Sequence, residues 1–341
     1  MPPPAGELNI AVVGATGMVG QEMLRILAQR GVGAKRVKAL ASERSSGLEM
    51  PYDGARIRIE VLDENAFEGV DLALFMAGSD VALRYAPVAA EAGALVVDNS
   101  SAWRMKENVP LVVPEVNPED IRDNEGIIAN PNCCTIPLTV VLKPIQERAG
   151  LERVLVSTYQ SASGAGKALV EELEEQTRAL AAGSTPEVTV YSHQLAYNVV
   201  PGGWKPEAEG YNEEEVKIVN ESRKILHQPE LRITANCVRV PVPIGHGESV
   251  FVETREMLSA GEVRELLGSA PGVIVQDDPH AKLYPTPHEV AGRDEVYVGR
   301  IRNDLSASHG VVLWVVADNL RKGAALNAWQ VAEKAVEMGV I

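Results

Sequence analysis

Short apolar runs closed by glycine or a polar turn recur through the first third of the chain. The run 8-LNIAVV-13 stops at Gly14, and in 18-MVGQEMLRILAQR-30 the apolar residues return at helical spacing, which predicts a strand, a glycine turn and a helix. Further strands are predicted at 36-RVKALAS-42, 57-IRIEVL-62, 72-LALFMAG-78 and 94-ALVVDNS-100, with a helical stretch at about residues 80 to 92. Strands that read as continuous apolar runs and alternate with helices belong to a doubly wound parallel α/β sheet of Rossmann type.

Beyond 130-NPNCCTIP-137 the pattern changes. A helix is predicted over roughly 134 to 149, then a strand at 153-RVLVSTY-159, the loop 160-QSASGAGK-167 and a helix from about 168 to 181. A helix at 213 to 227 precedes 236-NCVRVPVPIGHGESVFVETR-255, where Val238, Val240, Val242 and Ile244 alternate as in a half-buried strand. Strands at 295-EVYVGRIR-302 and 311-VVLWVVA-317 and an amphipathic helix at 319 to 338 complete a second, mixed α+β part.

At 341 residues the chain exceeds one ordinary core, so two domains are expected. Forty-seven acidic against 32 basic residues give a net charge of −15, which excludes a basic nucleic-acid surface. An anionic ligand must then be met by a few placed cations. Three irregularly spaced cysteines form no disulfide framework and fit a reducing cytoplasm. The N-terminal MPPPAGELNIAVVG has no signal-peptide pattern, and no segment is long and apolar enough to span a membrane.

Chemistry enters first at 14-GATGMVG-20. Gly14 ends a strand, Gly17 lets backbone N–H groups approach a pyrophosphate, and Gly20 permits close packing of the helix that follows, with Thr16, Met18 and Val19 in the same turn. Where an NAD-specific site places a carboxylate for the ribose, 41-ASERSSG-47 offers Arg44 and Ser45 beside Glu43, and a guanidinium with hydroxyls suits the 2′-phosphate of NADP. The doublet Cys133–Cys134 lies where a helix begins, with Asn132 available as a cap, so a thiol there gains from the helix dipole. Metal ligation finds no C-x-x-C and only scattered histidines, and no metal is expected. What remains open is a nucleophile against a buried small residue. His246, between two glycines where a strand gives way to a turn, is the candidate base; Arg104 in 98-DNSSAWRM-105 and Arg239 are candidate anion sites. The loop 160-QSASGAGK-167 is no P-loop, because Ser161 stands at its first glycine position.

Taken in order, GATGMVG, NPNCCT, TYQSASGAG, RVPVPIGHGES and DNLRKGAALNAWQ resemble the aspartate-β-semialdehyde dehydrogenase family over nearly the whole chain. The resemblance implies an NADP-binding Rossmann domain over 1–132 plus 318–341 and a catalytic and dimerisation domain over 133–317. It implies Cys133 as nucleophile, with Cys134 its inert neighbour, His246 as general acid/base and Gln160 orienting the carbonyl. Arg239 would pair with the substrate α-carboxylate, Glu214 would face its amino group, and Arg104, Lys217 and Asn132 would complete the substrate site. Ser163, Gly164 and Asn319 would lie along the cofactor. The implied reaction is NADPH-dependent reductive dephosphorylation of L-aspartyl 4-phosphate to L-aspartate 4-semialdehyde through a cysteine thioester, by a homodimer. The alternatives are an N-acetyl-γ-glutamyl-phosphate reductase and a non-catalytic NADP-binding paralogue.

Overall fold

The computed structural model describes residues 5 to 341. The chain forms two compact units, residues 1–132 with 324–341, and residues 133–323.

In the first unit the strands are β1 (Ile10–Val13), β2 (Val37–Ala41), β3 (Glu49–Tyr52), β4 (Ala55–Val61), β5 (Leu72–Phe75), β6 (Leu95–Asp98) and β7 (Ile127–Ala129), with helices α1 (Met18–Gln29) and α2 (Ser79–Glu91). They make a seven-stranded sheet in the order β3-β4-β2-β1-β5-β6-β7. All neighbours run parallel except the β3–β4 hairpin, which the periodicity missed because only Tyr52 of β3 is buried. Strand order reverses at β1, between β2 and β5, and such a switch point opens a crevice at the strand ends. The core is made of Ile10, Val12, Leu27, Ile59, Leu72 and Val97 with Leu326, Trp329 and Val336 from the C-terminal segment. Each fully buried large apolar side chain contributes about 1.5–3 kcal/mol.

The second unit holds α3 (Thr135–Ala149), β8 (Leu151–Gln160), α4 (Lys167–Ala181), α5 (Glu213–Ile225), β9 (Arg232–Arg239), β10 (His246–Thr254), α6 (Ala260–Gly268), β11 (Val273–Val275), α7 (Pro287–Val290), β12 (Val296–Asn303) and β13 (Gly310–Ala317). The last helix, α8 (Leu326–Glu337), belongs to the first unit, and a π-helical turn at Arg321–Ala325 leads into it. Six strands pair in the order β11-β12-β13-β10-β8-β9, mixed in direction. The single alternating stretch expected over 236–255 is instead two strands, because Pro241 and Pro243 supply no N–H and end β9 before the turn. His246 therefore opens a strand rather than closing one.

Register sorts the buried face of this sheet into rows. Glu248 lies opposite Val315 and Thr158, and Thr158 opposite Cys237. One row further in, Val250 lies opposite Leu313 and Val156, and Val156 opposite Ala235. One row toward the strand ends stand His246, Gln160 and Arg239, the last two directly opposite each other.

In the first unit a Cβ on Gly20 would collide with the Gly14 carbonyl and sit 2.8 Å from Ala15 Cα. Gly20→Ala should therefore lower stability by about 1–3 kcal/mol through overpacking. Gly268→Ala at the end of α6, where a Cβ meets nothing within 4 Å, should be neutral or stabilising. Thermal melts of the two variants check the contrast; equal midpoints would refute it.

Candidate active site

Cys133 and Cys134 form the turn that enters α3, with Cys134 at the N-cap and no side chain capping the helix. Asn132 is thus not the cap expected of it: the helix starts at Thr135, and the N-cap position falls to Cys134, two residues after Asn132. The doublet is not symmetric. Cys134 and Cys237 are buried, and burial pushes both thiols up, that of Cys134 further through its hydrogen bond to Cys133. Cys133 is the one cysteine with some exposure.

Ser161, the first residue after β8, organises the other groups. Its N–H donates to His246 Nδ1 at 3.0 Å, and its carbonyl accepts from Arg239 Nη1 at 2.7 Å. With Nδ1 accepting, the neutral imidazole of His246 carries its proton on Nε2, and that buried atom has no partner among the described residues. A ring nitrogen of His246, Cys133 Sγ and Cys134 Sγ all lie within 4.8 Å of one another. Two thiols and an imidazole are a familiar ligand set for a soft metal, but a metal needs a lone pair at the open nitrogen, and the Ser161 N–H puts a proton there instead. The arrangement suits hydrogen-bond donation to sulfur or to an oxyanion.

Arg239 is 2% exposed, and its Nε finds no acceptor. Its guanidinium lies 4.8 Å from the Trp204 ring and 5.7 Å from that of Tyr191. Gly164 faces both cationic and imidazole groups: a Cβ there would come to 2.9 Å from Arg239 Nη1 and 3.1 Å from His246 Nε2. Asn319 joins the loops, its Oδ1 accepting from Ser161 Oγ, Ser163 Oγ and the Gly245 N–H at 3.1, 3.2 and 2.8 Å.

On the other side of Gln160 its Nε2 donates to Glu214 Oε1 and Thr158 Oγ1, each at 3.2 Å. Glu214 Oε2 lies 3.7 Å from Lys217 Nζ one turn along α5, whose start is fixed by an Asn212–Glu215 capping box. Behind this rim sits Glu248, 1% exposed, against the Cys134 thiol and with no N–H or O–H donor on either oxygen. Burial first, and the Cys133 charge second, push its carboxyl well above the usual range, which favours the neutral acid. Gly323, in the π turn, backs Cys133: a Cβ there would lie 3.2 Å from Cys133 Cβ.

The first unit carries the remaining candidates. Gly14 has φ +81°, its N–H donates to the Leu40 carbonyl, and a Cβ would meet Met76 O at 2.7 Å, so only glycine fits. Gly17 is the N-cap of α1, with Met18 and Val19 in its first turn. A cleft of about 390 Å³ is lined by Gly14, Thr16, Ser42, Glu43, Leu62 and Tyr85 among others. On the turn directly after the lining residues Ser42 and Glu43, Arg44 is exposed and Ser45 half-buried. Arg104 is buried, held by the Asn130 and Asn99 carbonyls at 2.9 and 2.8 Å, and Asn132 is buried at the end of the same unit.

Residues 9–124 match the family model of the semialdehyde dehydrogenase NAD-binding domain, and residues 142–322 match that of the semialdehyde dehydrogenase dimerisation domain. The chain is 49% identical to the aspartate-semialdehyde dehydrogenase of Aquifex aeolicus, covering 98% of this chain and 99% of that one. It is 45% identical to the Bacillus subtilis enzyme of the same name, over 98% and 99% of the two chains. The crystal structure of aspartate semialdehyde dehydrogenase II from Vibrio cholerae, complexed with ASA, superposes with a TM-score of 0.92 at 45% identity, over 97% and 98%.

The chain belongs to the aspartate-semialdehyde dehydrogenase family. Within that family fold, four groups at this chain's site had drawn no functional reading from the sequence. Ser161 acts through its backbone, which no residue type reveals. Glu248 shares a strand face with His246, a two-residue spacing visible in HGE but unremarkable without a sheet. Tyr191 and Trp204 come from an irregular loop with no periodicity to read.

Two outcomes follow for this member of the family. Gly164→Ala, by crowding Arg239 and His246, should cut kcat about tenfold or more while thermal unfolding stays near that of the parent; undiminished turnover would contradict the packing. For Glu248, folding raises proton affinity, so its stabilising contribution is full below the ordinary glutamate pKa and is lost as pH rises through the raised folded value. Glu248→Gln lacks this loss. Urea midpoints of parent and variant should therefore diverge as pH rises from about 4, the parent falling relative to the variant, and parallel curves would refute a neutral Glu248.

Proposed function

We propose that the second unit performs thioester chemistry on L-aspartyl 4-phosphate, giving L-aspartate 4-semialdehyde and phosphate. One observation carries this reading: a partly exposed thiol stands beside a buried, unpartnered imidazole Nε2–H, while the buried guanidinium of Arg239, two strands away in the same sheet, keeps an N–H without an acceptor. A buried cation in this state is costly unless an anion completes it.

In this reading the Cys133 thiolate attacks the acyl carbon and phosphate departs, leaving a thioester. The nucleotide fits the first unit: the Gly14–Gly17–Gly20 turn leaves room for a pyrophosphate at the N-terminus of α1, the crevice at β1 takes the adenosine half, and Arg44 and Ser45 take the 2′-phosphate of NADP. A nicotinamide cofactor held by these residues would supply the hydride for reducing the Cys133 thioester. His246 then donates from Nε2 to the developing oxyanion, and the Ser161 N–H keeps that tautomer in place. Collapse returns the Cys133 thiolate with the aldehyde. Arg239 holds the α-carboxylate by its open N–H groups, and Glu214, steadied by Gln160, faces the α-amino group. Arg104 and Lys217 serve the phosphate, Asn132 completes the substrate site, and Ser163, Gly164 and Asn319 flank the nicotinamide.

The protein works in the cytoplasm as a homodimer; no helix among the described residues is long and apolar enough to cross a membrane. The outward sheet face, where Tyr159 packs at a tilt against Trp314 and Phe251 is 38% exposed, supports pairing with a second copy. Such a face is what a dimerisation domain has to bury.

The test is turnover by purified protein of aspartate semialdehyde with phosphate, given NADP or NAD, beside the N-acetylated glutamyl aldehyde. The non-acetylated aldehyde with NADP should be preferred; equal or faster use of the acetylated one would overturn the assignment. Cys133→Ala should abolish turnover, by about 10⁴-fold or more for loss of a covalent nucleophile, and Cys134→Ala should retain much of it. The reverse pattern would move the nucleophile to Cys134.

A further inference from the structure

Between α4 and α5 the chain runs through residues 184 to 206 without a helix or an extended strand. Irregular segments of this length inside a compact unit are uncommon and are usually functional. This one is tied down at each step. Glu172 of α4 accepts from the Thr189 and Val190 N–H groups at 2.7 and 2.6 Å and from Thr189 Oγ1 at 2.8 Å. One turn later Gln176 accepts from the Leu195 and Ala196 N–H groups at 2.9 and 3.1 Å and donates to the Glu187 carbonyl at 3.0 Å. Val200 then exchanges both backbone hydrogen bonds with Arg239 itself, each at 2.9 Å.

The result of this path is an aromatic wall on one side chain. Trp204 lies 4.8 Å and Tyr191 5.7 Å from the Arg239 guanidinium, and Tyr191 is locked by donating its hydroxyl to the Gly202 carbonyl. The Arg239 side chain has one protein acceptor, the Ser161 carbonyl on Nη1. A single hydrogen bond leaves a guanidinium free to swing about it. A cation held over an indole face loses part of that freedom, since the ring quadrupole attracts it to one position. Burial strengthens the effect, because the ring replaces the water that the cation has lost.

We propose that Trp204, with Tyr191, is the positioning residue that pre-orients Arg239 for the substrate α-carboxylate, and that residues 184–206 exist in this fold to deliver it. The inference rests on the reading of Arg239 as the carboxylate ligand. Preorientation acts on binding and not on the chemistry at Cys133, so the two rate constants respond differently.

The experiment measures KM and kcat of the full chain in the oxidative direction, with aspartate semialdehyde and with 3-aminopropanal, which lacks the α-carboxylate. In Trp204→Leu, KM for aspartate semialdehyde should rise about five- to thirtyfold with kcat within about threefold, while KM for 3-aminopropanal stays unchanged. Trp204→Phe should recover most of the loss. An unchanged KM for aspartate semialdehyde, or an equal rise with both aldehydes, would overturn the inference, the second because it reports general loosening. If the parent enzyme uses both aldehydes with the same KM, the role of Arg239 itself fails, which is a distinct result from a Trp204 effect that ignores the carboxylate.

Discussion

One peptide unit, that of Ser161, sets the chemistry of the second unit. Its N–H fixes the tautomer of His246 and its carbonyl anchors Arg239, so an imidazole N–H and a buried guanidinium are referenced to the same rigid group. The Ser161 hydroxyl meets Asn319, which also holds the Ser163 hydroxyl and the Gly245 N–H, so three loops share one amide. Backbone groups cannot rotate to alternative rotamers. A site built on them loses less entropy when it orders substrate than one built on long side chains.

The sheet beneath explains how such polarity is tolerated. The rim row carries His246, Gln160 and Arg239, the next row Glu248, Thr158 and Cys237, and only the third is wholly apolar. The middle row is a graded boundary. Its titratable members are kept neutral by burial, Glu248 as an acid and Cys237 as a thiol, so that no fixed negative charge lies under the nucleophile. Were Glu248 ionised, it would repel a Cys133 thiolate in a region of low effective dielectric.

Strong positive groups are few in a chain of net charge −15, and those at the site are sheltered. Arg239 lies against aromatic rings, Lys217 is balanced by Glu213 and Glu214, and Arg104 donates to the Asn99 and Asn130 carbonyls. For Arg239, pairing with a carboxylate would spend the charge before an anion arrived. Carbonyls and ring faces orient a cation and leave most of its charge for the ligand.

Local pattern alone determined a good deal. Apolar runs and glycine spacing located the parallel sheet and the nucleotide turn, because a buried strand and a strained turn each restrict residue type at consecutive positions. The ordered motifs pointed to the family, and with it to Cys133, Gln160, Arg239 and His246. Sequence could not say which tautomer His246 adopts, that Glu248 is neutral, or that Trp204 lies on Arg239. These are products of strand register and of a loop threaded over a helix, which join residues far apart in the chain: Ser161 with His246, Thr158 with Glu248, Trp204 with Arg239. A helix or strand is encoded by neighbours, but a proton's position depends on whichever donors the fold brings within three ångströms, and only the tertiary structure decides that.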